Sequence, residues 1–346
     1  MAAGELVLLT GATGHVGFAI LRSLIDYGYT VRVVLRNDAK ADLIRSQPSL
    51  KAKPDQLTFV SVPDFSASGA FDSAVRDAKY IVHVASPIPG GNDPIDDLEA
   101  SFVIPAVRGT LNVLSAAEAS NTVKRVVITS SAVVLVPVPV LLGQTSSETF
   151  SADYRAPPIP APYNNMPMVA YVASKTAALA AAEDFVKTEK PGFDVIHIHP
   201  SYVEGRDDLT TTVAGFRTGT NRFILDIVTG NKEANPLLPG AVHVEDLALA
   251  HVKALNPSVP GNMSFILNAG GFEWNDAVKH AVELFPQAFA DGLLSDGVNP
   301  VKLSEPKLDT STTETVLGVK ARGYKEMVES VVGHYLEVLE KEKGRQ

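Results

Sequence analysis

Short, nearly uninterrupted apolar runs alternate along this chain with longer stretches of helical pattern. The runs are Leu6–Thr10, Thr30–Leu35, Leu57–Val62, Tyr80–Val84, Arg125–Ser130, Asp194–His199 and Ser264–Leu267. Their length and β-branched content predict strands. Between them, Val16–Tyr27, Asp38–Gln47, Ser68–Val75, Leu98–Ala119 and Val169–Thr188 predict helices. Strands that are apolar throughout are buried on both faces. The alternation therefore implies an α/β fold with a doubly wound parallel sheet. Ligands of such sheets sit at the carboxyl ends of the strands.

Two stretches break the rhythm. Val136 to Met168 carries Pro137, Pro139, Pro157, Pro158, Pro160, Pro162 and Pro167. A loop this long in a compact domain is usually functional, and it is expected to line the substrate side. The second stretch, Ser201 to Gly240, is followed after the last strand by helices near Trp274–Phe285 and Thr312–Glu340. The expected division is a nucleotide-binding domain over residues 1–200, to which 241–268 returns. Residues 201–240 and 269–346 form a smaller, mostly helical lobe over the cleft. No internal repeat is present.

Composition narrows the class. The 346 residues suffice for one main domain and a smaller lobe, with 45% hydrophobic and 20% charged residues. A net charge of −9 argues against nucleic acid or an anionic membrane as partner. There are no cysteines, which excludes disulfides, thiolate zinc sites and thiol nucleophiles. That fits a cytoplasmic protein, as does an N-terminus that runs into a strand without a basic n-region or cleavage site. Val126–Ser147 is uncharged and long enough to raise a membrane question. Its Pro137, Pro139 and Gly143 point instead to a buried strand leading into an apolar loop.

The chemistry begins at Thr10-Gly11-Ala12-Thr13-Gly14-His15-Val16-Gly17, between the first strand and the first helix. Gly11 and Gly14 allow a tight turn and close approach of backbone to a pyrophosphate; Gly17 lets helix pack on strand. The N–H groups opening the helix meet the phosphate charge. At the end of the second strand, Leu35-Arg36-Asn37 places a guanidinium where an NAD site offers an acid, with Lys40 one turn on. Arginine suits a 2′-phosphate, so the pattern favours NADP(H). Asp38 is the competing acid, but is better placed to cap the next helix. Arg32 reads as an edge-facing structural residue. Asp64, after the third strand, is either a turn acid or a partner for the adenine amine. His83-Val84-Ala85-Ser86-Pro87 ends the fourth strand near the cofactor, with His83 itself a packed core residue.

Tyr171-Val172-Ala173-Ser174-Lys175 puts a phenol and an ammonium on one helix face, about 5–6 Å apart. A free tyrosine titrates near ~10. A neighbouring cation favours the phenolate and lowers that value by roughly 1–3. The pair reads as a tuned acid/base.

Taken together, these segments resemble the extended short-chain dehydrogenase/reductases, and more narrowly their dihydroflavonol-reductase-like branch with its fungal aldehyde and ketone reductases. The likeness runs through Thr10–Gly17, Gly28–Arg32 with Arg36, Asp64-Phe65, His83–Pro87, Gly109–Leu114, Thr129–Ala132, Tyr171–Lys175 and His199-Pro200. It continues through Val242–Ala248 and Gly271–Asn275. The resemblance implies that Ser131 hydrogen-bonds a substrate carbonyl, that Tyr171 is the general acid, and that Lys175 binds the nicotinamide ribose and lowers the tyrosine pKa. Pro200 and Val203 would border the nicotinamide, with the Val203 backbone near its carboxamide. The expected cofactor contacts are Thr10, Gly11, Thr13, Gly14, His15, Val16, Gly17, Arg36, Lys40, Asp64, Phe65, Val84, Ala85, Ser86, Thr129, Lys175, Pro200 and Val203, with no metal.

The chain also departs from the family. Many relatives carry an asparagine with a proton-relay role on the helix before the serine strand. Ile104-Pro105-Ala106-Val107-Arg108-Gly109 offers none, and Asn112 reads as structural. The proline-rich loop replaces a more polar one, which argues against a polyphenol pocket. The resemblance thus implies NADPH-dependent reduction of a ketone or aldehyde of moderate size with an apolar body. Phe150, Tyr163, Met166, Met168, Tyr202, Phe216 and Phe223 are candidate pocket walls, and the expected assembly is a monomer or homodimer. Two rival readings stand. One is a sugar-nucleotide epimerase or hydroxysteroid dehydrogenase/isomerase, for which Arg206, Arg217 and Arg222 could hold a second pyrophosphate. The other is a non-catalytic NADP-sensing regulator.

Overall fold

In β1 (Leu6–Thr10) every side chain after the first is buried, as a strand covered on both faces requires. The same logic builds the inner strands of a seven-stranded sheet, whose edge strand Leu57–Ser61 has no fully buried residue, in a computed structural model that describes residues 4–89, 95–231, 240–295 and 306–344. After β1 come α1 (His15–Asp26), β2 (Thr30–Leu35), α2 (Ala41–Arg45), β3 (Leu57–Ser61), β4 (Tyr80–His83), α3 (Ile104–Ser120) and β5 (Arg125–Thr129). The chain continues through α4 (Val138–Leu141), β6 (Thr149–Phe150), α5 (Pro167–Glu189), β7 (Asp194–Pro200), β8 (Tyr202–Glu204), α6 (Arg222–Val228) and β9 (Ala241–His243). It ends with α7 (Val244–Ala254), β10 (Ser264–Leu267), α8 (Asp276–Leu284), α9 (Pro286–Ala290), β11 (Lys307–Leu308) and α10 (Tyr324–Lys343).

The strand order is β10-β7-β5-β4-β1-β2-β3, and every pairing is parallel. Helices α1 and α7 pack together on one face, α3 and α5 on the other. The order reverses between β1 and β4, so the crevice for a ligand opens where the loops after those two strands meet. The helical stretch Glu99–Ser120 has the length and apolarity of a membrane span, but here it lies against α5. Buried Arg125 ties the far end of the sheet together. It grips Asp194 on β7 with two bonds and donates to the carbonyls of Ala254, Asn256 and Val259.

A separate apolar cluster joins α6, α8 and α10 around Trp274, which is 1% exposed. Phe223, Phe272 and Tyr324 surround that indole. Of the stretches expected in the smaller lobe, residues 232–239, 296–305 and 345–346 lie outside the described residues.

Three expectations need correction. Ser68–Val75 is a succession of turns rather than a helix; the carbonyls of Ala74 and Arg76 bond the Arg32 guanidinium at 2.7 and 2.6 Å. Arg32 is thus structural, although β2 is an inner strand and not an edge. The expected helix over Thr312–Glu340 is two pieces. A single wide turn, Thr313–Leu317, stops at Gly318 (φ +61°), and α10 starts after Gly323, whose N–H bonds the Glu326 carboxylate at 2.7 Å. Finally, Val136–Met168 holds α4 and β6. Val140, Leu141 and Phe150 bury themselves against Val172 and Leu179 of α5, and β6 pairs with β11.

Candidate active site

The loop after β1 is shaped by what its glycines exclude. Gly11 has φ +80°, and a Cβ there would lie 2.8 Å from the backbone nitrogen of Ala85. A Cβ on Gly17 would overlap the Gly11 carbonyl oxygen. Gly14 occupies the cap of α1, no side chain caps that end, and the first turn has no acid. The helix therefore opens with bare N–H groups and an uncompensated positive dipole end. A pyrophosphate fits this cradle.

Two residues expected at the cofactor turn inward. The Thr10 hydroxyl accepts from the N–H groups of Val84 and Ala85 at 3.1 and 3.2 Å. Both its lone pairs are taken, so its proton goes to Nδ1 of His83, 2.9 Å away. Thr10 thereby ties the glycine loop to the end of β4, and only its backbone is left for a ligand. His15 is neutral, its pKa lowered chiefly by burial, and it sits under the backbone of Gly205 and Arg206. Thr13 and Val16 are partly accessible along the same loop.

At the end of β2, Arg36 and Lys40 are exposed, and among the described residues neither side chain has a hydrogen bond or ion pair. Two uncommitted cations here fit a phosphate. Asp38 does not cap a helix: Asn37 holds the cap position of the turn Asp38–Lys40, without a side-chain bond. After β3, one Asp64 oxygen accepts from Ser66 N–H at 2.8 Å, a local turn that leaves the other oxygen available. Asn112 is structural as expected, its amide holding the carbonyls of Phe65 and Ala67. Val84, Ala85 and Ser86 follow β4, all partly accessible.

Across the crevice, α5 carries Tyr171 and Lys175 one turn apart. Ser131 begins the turn Ala132–Leu135 after β5, its hydroxyl accepting from Val133 N–H at 3.4 Å. The Tyr171 hydroxyl lies near Ser131, close enough for that side chain to favour the phenolate. Of the two strand-end serines, Ser131 therefore faces the phenol, while Ser130 faces a cavity behind Lys175. Burial raises the Tyr171 pKa, and the nearby Ser131 side chain only partly opposes it. This corrects the expectation that Lys175 lowers it. The Lys175 ammonium instead donates to the Thr129 carbonyl at 3.2 Å, and burial brings its own pKa down to about 8.

Thr129 needs a similar correction. His251 Nδ1 donates to the Leu247 carbonyl at 2.8 Å, which leaves Nε2 to accept the Thr129 hydroxyl proton at 2.7 Å. The hydroxyl thus turns toward α7, and the Thr129 carbonyl alone meets Lys175. Pro200 ends β7; the Val203 carbonyl is taken by the Thr220 hydroxyl.

The candidate pocket walls divide. Phe150 and Phe216 are core residues, the latter against His334 and Tyr335. The Tyr163 hydroxyl is bonded to Glu99 at 2.6 Å. Tyr202 and Met168 stay partly accessible, Met166 is exposed, and Phe223 packs with Tyr202 and Trp274. The three arginines of the epimerase reading are engaged. Arg206 pairs with Asp208 and Glu337, Arg217 lies 4.0 Å from Asp226, and Arg222 covers the Phe223 ring. The sequence reading missed the buried imidazoles of His197 and His199, although histidines two apart on a strand share a face.

A family model described as "NAD dependent epimerase/dehydratase family" matches residues 7–270. Ketoreductase CTB6 of Cercospora beticola is 42% identical over 99% of this chain and 98% of its own length. Aldehyde reductase 2 of Sporidiobolus salmonicolor is 32% identical over 82% of each. Among solved structures, yeast methylglyoxal/isovaleraldehyde reductase Gre2 complexed with NADPH superposes with a TM-score of 0.81 at 24% identity, covering 99% of this chain and 100% of that one. A match of such extent on a glycine cradle and a Ser/Tyr/Lys cleft leaves one assignment: the chain belongs to the NAD dependent epimerase/dehydratase family, within the extended short-chain dehydrogenase/reductases.

Proposed function

We propose that this protein is an NADPH-dependent carbonyl reductase that converts a ketone or aldehyde to an alcohol. The observation that carries the reading is the Tyr171 phenol beside Ser131, with Lys175 one turn along α5, across the crevice from the glycine cradle. Bound there, NADPH would supply a hydride. Ser131 and Tyr171 would then donate to the carbonyl oxygen as negative charge builds on it, and Tyr171 would give up its proton as general acid. The burial that raises its pKa keeps Tyr171 protonated near neutrality, as the reducing direction needs. Lys175 would hold the ribose, and Arg36 with Lys40 the 2′-phosphate.

In this reading residues 1–200 and 241–268 carry the cofactor, and the remaining lobe shapes the substrate pocket. The names of the ketoreductase and aldehyde reductase relatives support the reaction class. Epimerase chemistry is less favoured, because Arg206 and Arg217 are ion-paired within the protein and Arg222 stacks on Phe223. The test is NADPH oxidation by the purified protein with a panel of ketones and aldehydes. Tight NADPH binding without turnover of any carbonyl would leave the regulatory reading in its place.

A further inference from the structure

The short strand β8 leaves the carboxyl end of β7 and pairs in parallel with β9. Its side chains divide between the two halves of the molecule. Val203 packs into the apolar core of the nucleotide-binding domain, while Tyr202 packs against the aromatic cluster of the smaller lobe. Tyr202 also borders the apolar cluster on which Tyr171 packs, so β8 runs along the reactive cleft. The backbone alternates as well. The Tyr202 N–H bonds the Gly240 carbonyl, at the start of β9, at 3.3 Å. Val203, one residue on, therefore turns its own N–H and carbonyl to the opposite edge. There the Thr220 hydroxyl donates to the Val203 carbonyl, which leaves the N–H as the donor this edge presents.

Asn221 follows, at the cap position of α6, where an asparagine ordinarily bonds the N–H groups of its own helix. Among the described residues it makes no such bond. Its amide is turned to Gly205 instead, accepting from the glycine N–H at 2.9 Å and donating to the glycine carbonyl at 2.6 Å. Asn221 is 5% exposed, so both bonds are shielded from water. Gly205 has little room to shift: its φ is +137°, and an added Cβ would lie 2.8 Å from Val244 on α7. Two residues beyond Asn221, the Phe223 ring packs on Tyr202 with centroids 5.0 Å apart. One helical turn thus grips Tyr202, Val203 and Gly205, and gives up its own cap to do so.

We infer that Thr220 and Asn221 are positioning residues for the reduction: they fix the Val203 peptide at the edge of the cleft, where its N–H takes the carboxamide of the nicotinamide and keeps the hydride-bearing end of the cofactor facing Ser131 and Tyr171. The inference rests on the carbonyl-reductase reading of the same cleft. It assigns the first turn of α6, a part of the substrate lobe, to one half of the cofactor only. The other half is anchored separately, by the glycine cradle and by Arg36 and Lys40.

That division supplies the test, a comparison of two ligands. Adenosine 2′,5′-bisphosphate reports the adenine half alone, and NADPH reports both halves. Thr220→Val removes the hydroxyl at nearly constant shape. It should weaken NADPH by roughly three- to tenfold, the usual worth of one neutral hydrogen bond, and leave the bisphosphate within about twofold. Turnover at saturating NADPH should fall by roughly ten- to a hundredfold, as misplacement of a reacting group does. Thr220→Ser, which keeps the donor, should restore both. Asn221→Ala should act in the same sense; if it does not fold, the Thr220 pair decides alone. Equal loss of both ligands in Thr220→Val would show that the turn supports the fold as a whole, and unchanged affinity for both would show mere packing; either overturns the inference. A parent protein that binds NADPH but turns over no carbonyl would instead sink the reading beneath it. A parent that reduces carbonyls beside a Thr220→Val variant with parental NADPH affinity would sink the clamp alone.

Discussion

Gly17 on α1 leaves no room for a methyl group, because its Cβ would fall on the carbonyl oxygen of Gly11. That obstacle is backbone and cannot rotate away. Overpacking of this kind costs typically about 1–3 kcal/mol. Gly17→Ala should therefore lower the melting temperature and weaken NADPH binding together. At Gly14 the nearest atom to an added Cβ is 3.7 Å away, so Gly14→Ala should keep the melting temperature. If it also keeps NADPH affinity, the phosphate does not approach the loop at that residue. Thermal melts and a fluorescence titration with NADPH check both.

Tyr171→Phe keeps the ring and removes the proton. Turnover should fall by roughly 10²–10⁴-fold, the usual contribution of general acid catalysis, with NADPH affinity unchanged. A loss under about tenfold with the parental pH dependence would remove Tyr171 from the role of acid.

Arg36 stands exposed and unpaired among the described residues at the end of β2. A charge-assisted hydrogen bond contributes about 1.5–3 kcal/mol, so Arg36→Asp should shift the ratio of kcat/KM for NADPH over NADH by roughly ten- to a hundredfold. Equal use of both cofactors by the unaltered protein would defeat the assignment before any substitution.

Glu204 ends β8 fully buried, and among the described residues neither carboxylate oxygen has a hydrogen-bond partner. Burial raises its pKa well above the ordinary value, and its charge would also act on Tyr324. With the folded-state pKa above the unfolded one, this group's contribution is whole in acid and is lost as pH rises toward the folded value. Glu204→Gln should thus melt like the parent near about pH 4 and gain on it progressively above that. A constant difference across pH would show that the carboxyl is charged, or hydrated, in the folded protein.

Tyr202 and Met168 remain partly accessible beside the cleft, while Phe216 is sealed among His334 and Tyr335. Truncating Tyr202 or Met168 to alanine should change the ranking of carbonyl substrates and spare NADPH affinity. Each buried apolar group is worth about 1.5–3 kcal/mol, enough for tenfold discrimination or more. Phe216→Ala should instead cost about 3–5 kcal/mol of stability and leave the ranking alone. Parallel losses on every substrate in the Tyr202 and Met168 variants would place the pocket elsewhere.

Apolar runs determined the inner strands, because a strand buried on both faces must be apolar along its length whatever its neighbours are; β3, at the edge and with no fully buried residue, was legible from its β-branched and aromatic content instead. The glycine cradle was equally legible, since its spacing answers to local sterics. The Tyr171 and Lys175 spacing placed a phenol and an ammonium on one helix face. Where those heads point was settled elsewhere: Lys175 turns to a carbonyl on β5, and Thr129 to an imidazole on α7. The same holds for Thr10 bonded to His83, for Ser131 rather than Ser130 at the phenol, and for the proline-rich segment that builds α4 and β6. Hydroxyls and ammonium groups take whichever partner long-range packing brings within about 3 Å, and burial then sets their pKa. Both depend on residues tens to more than a hundred positions away, so only the tertiary structure could decide them.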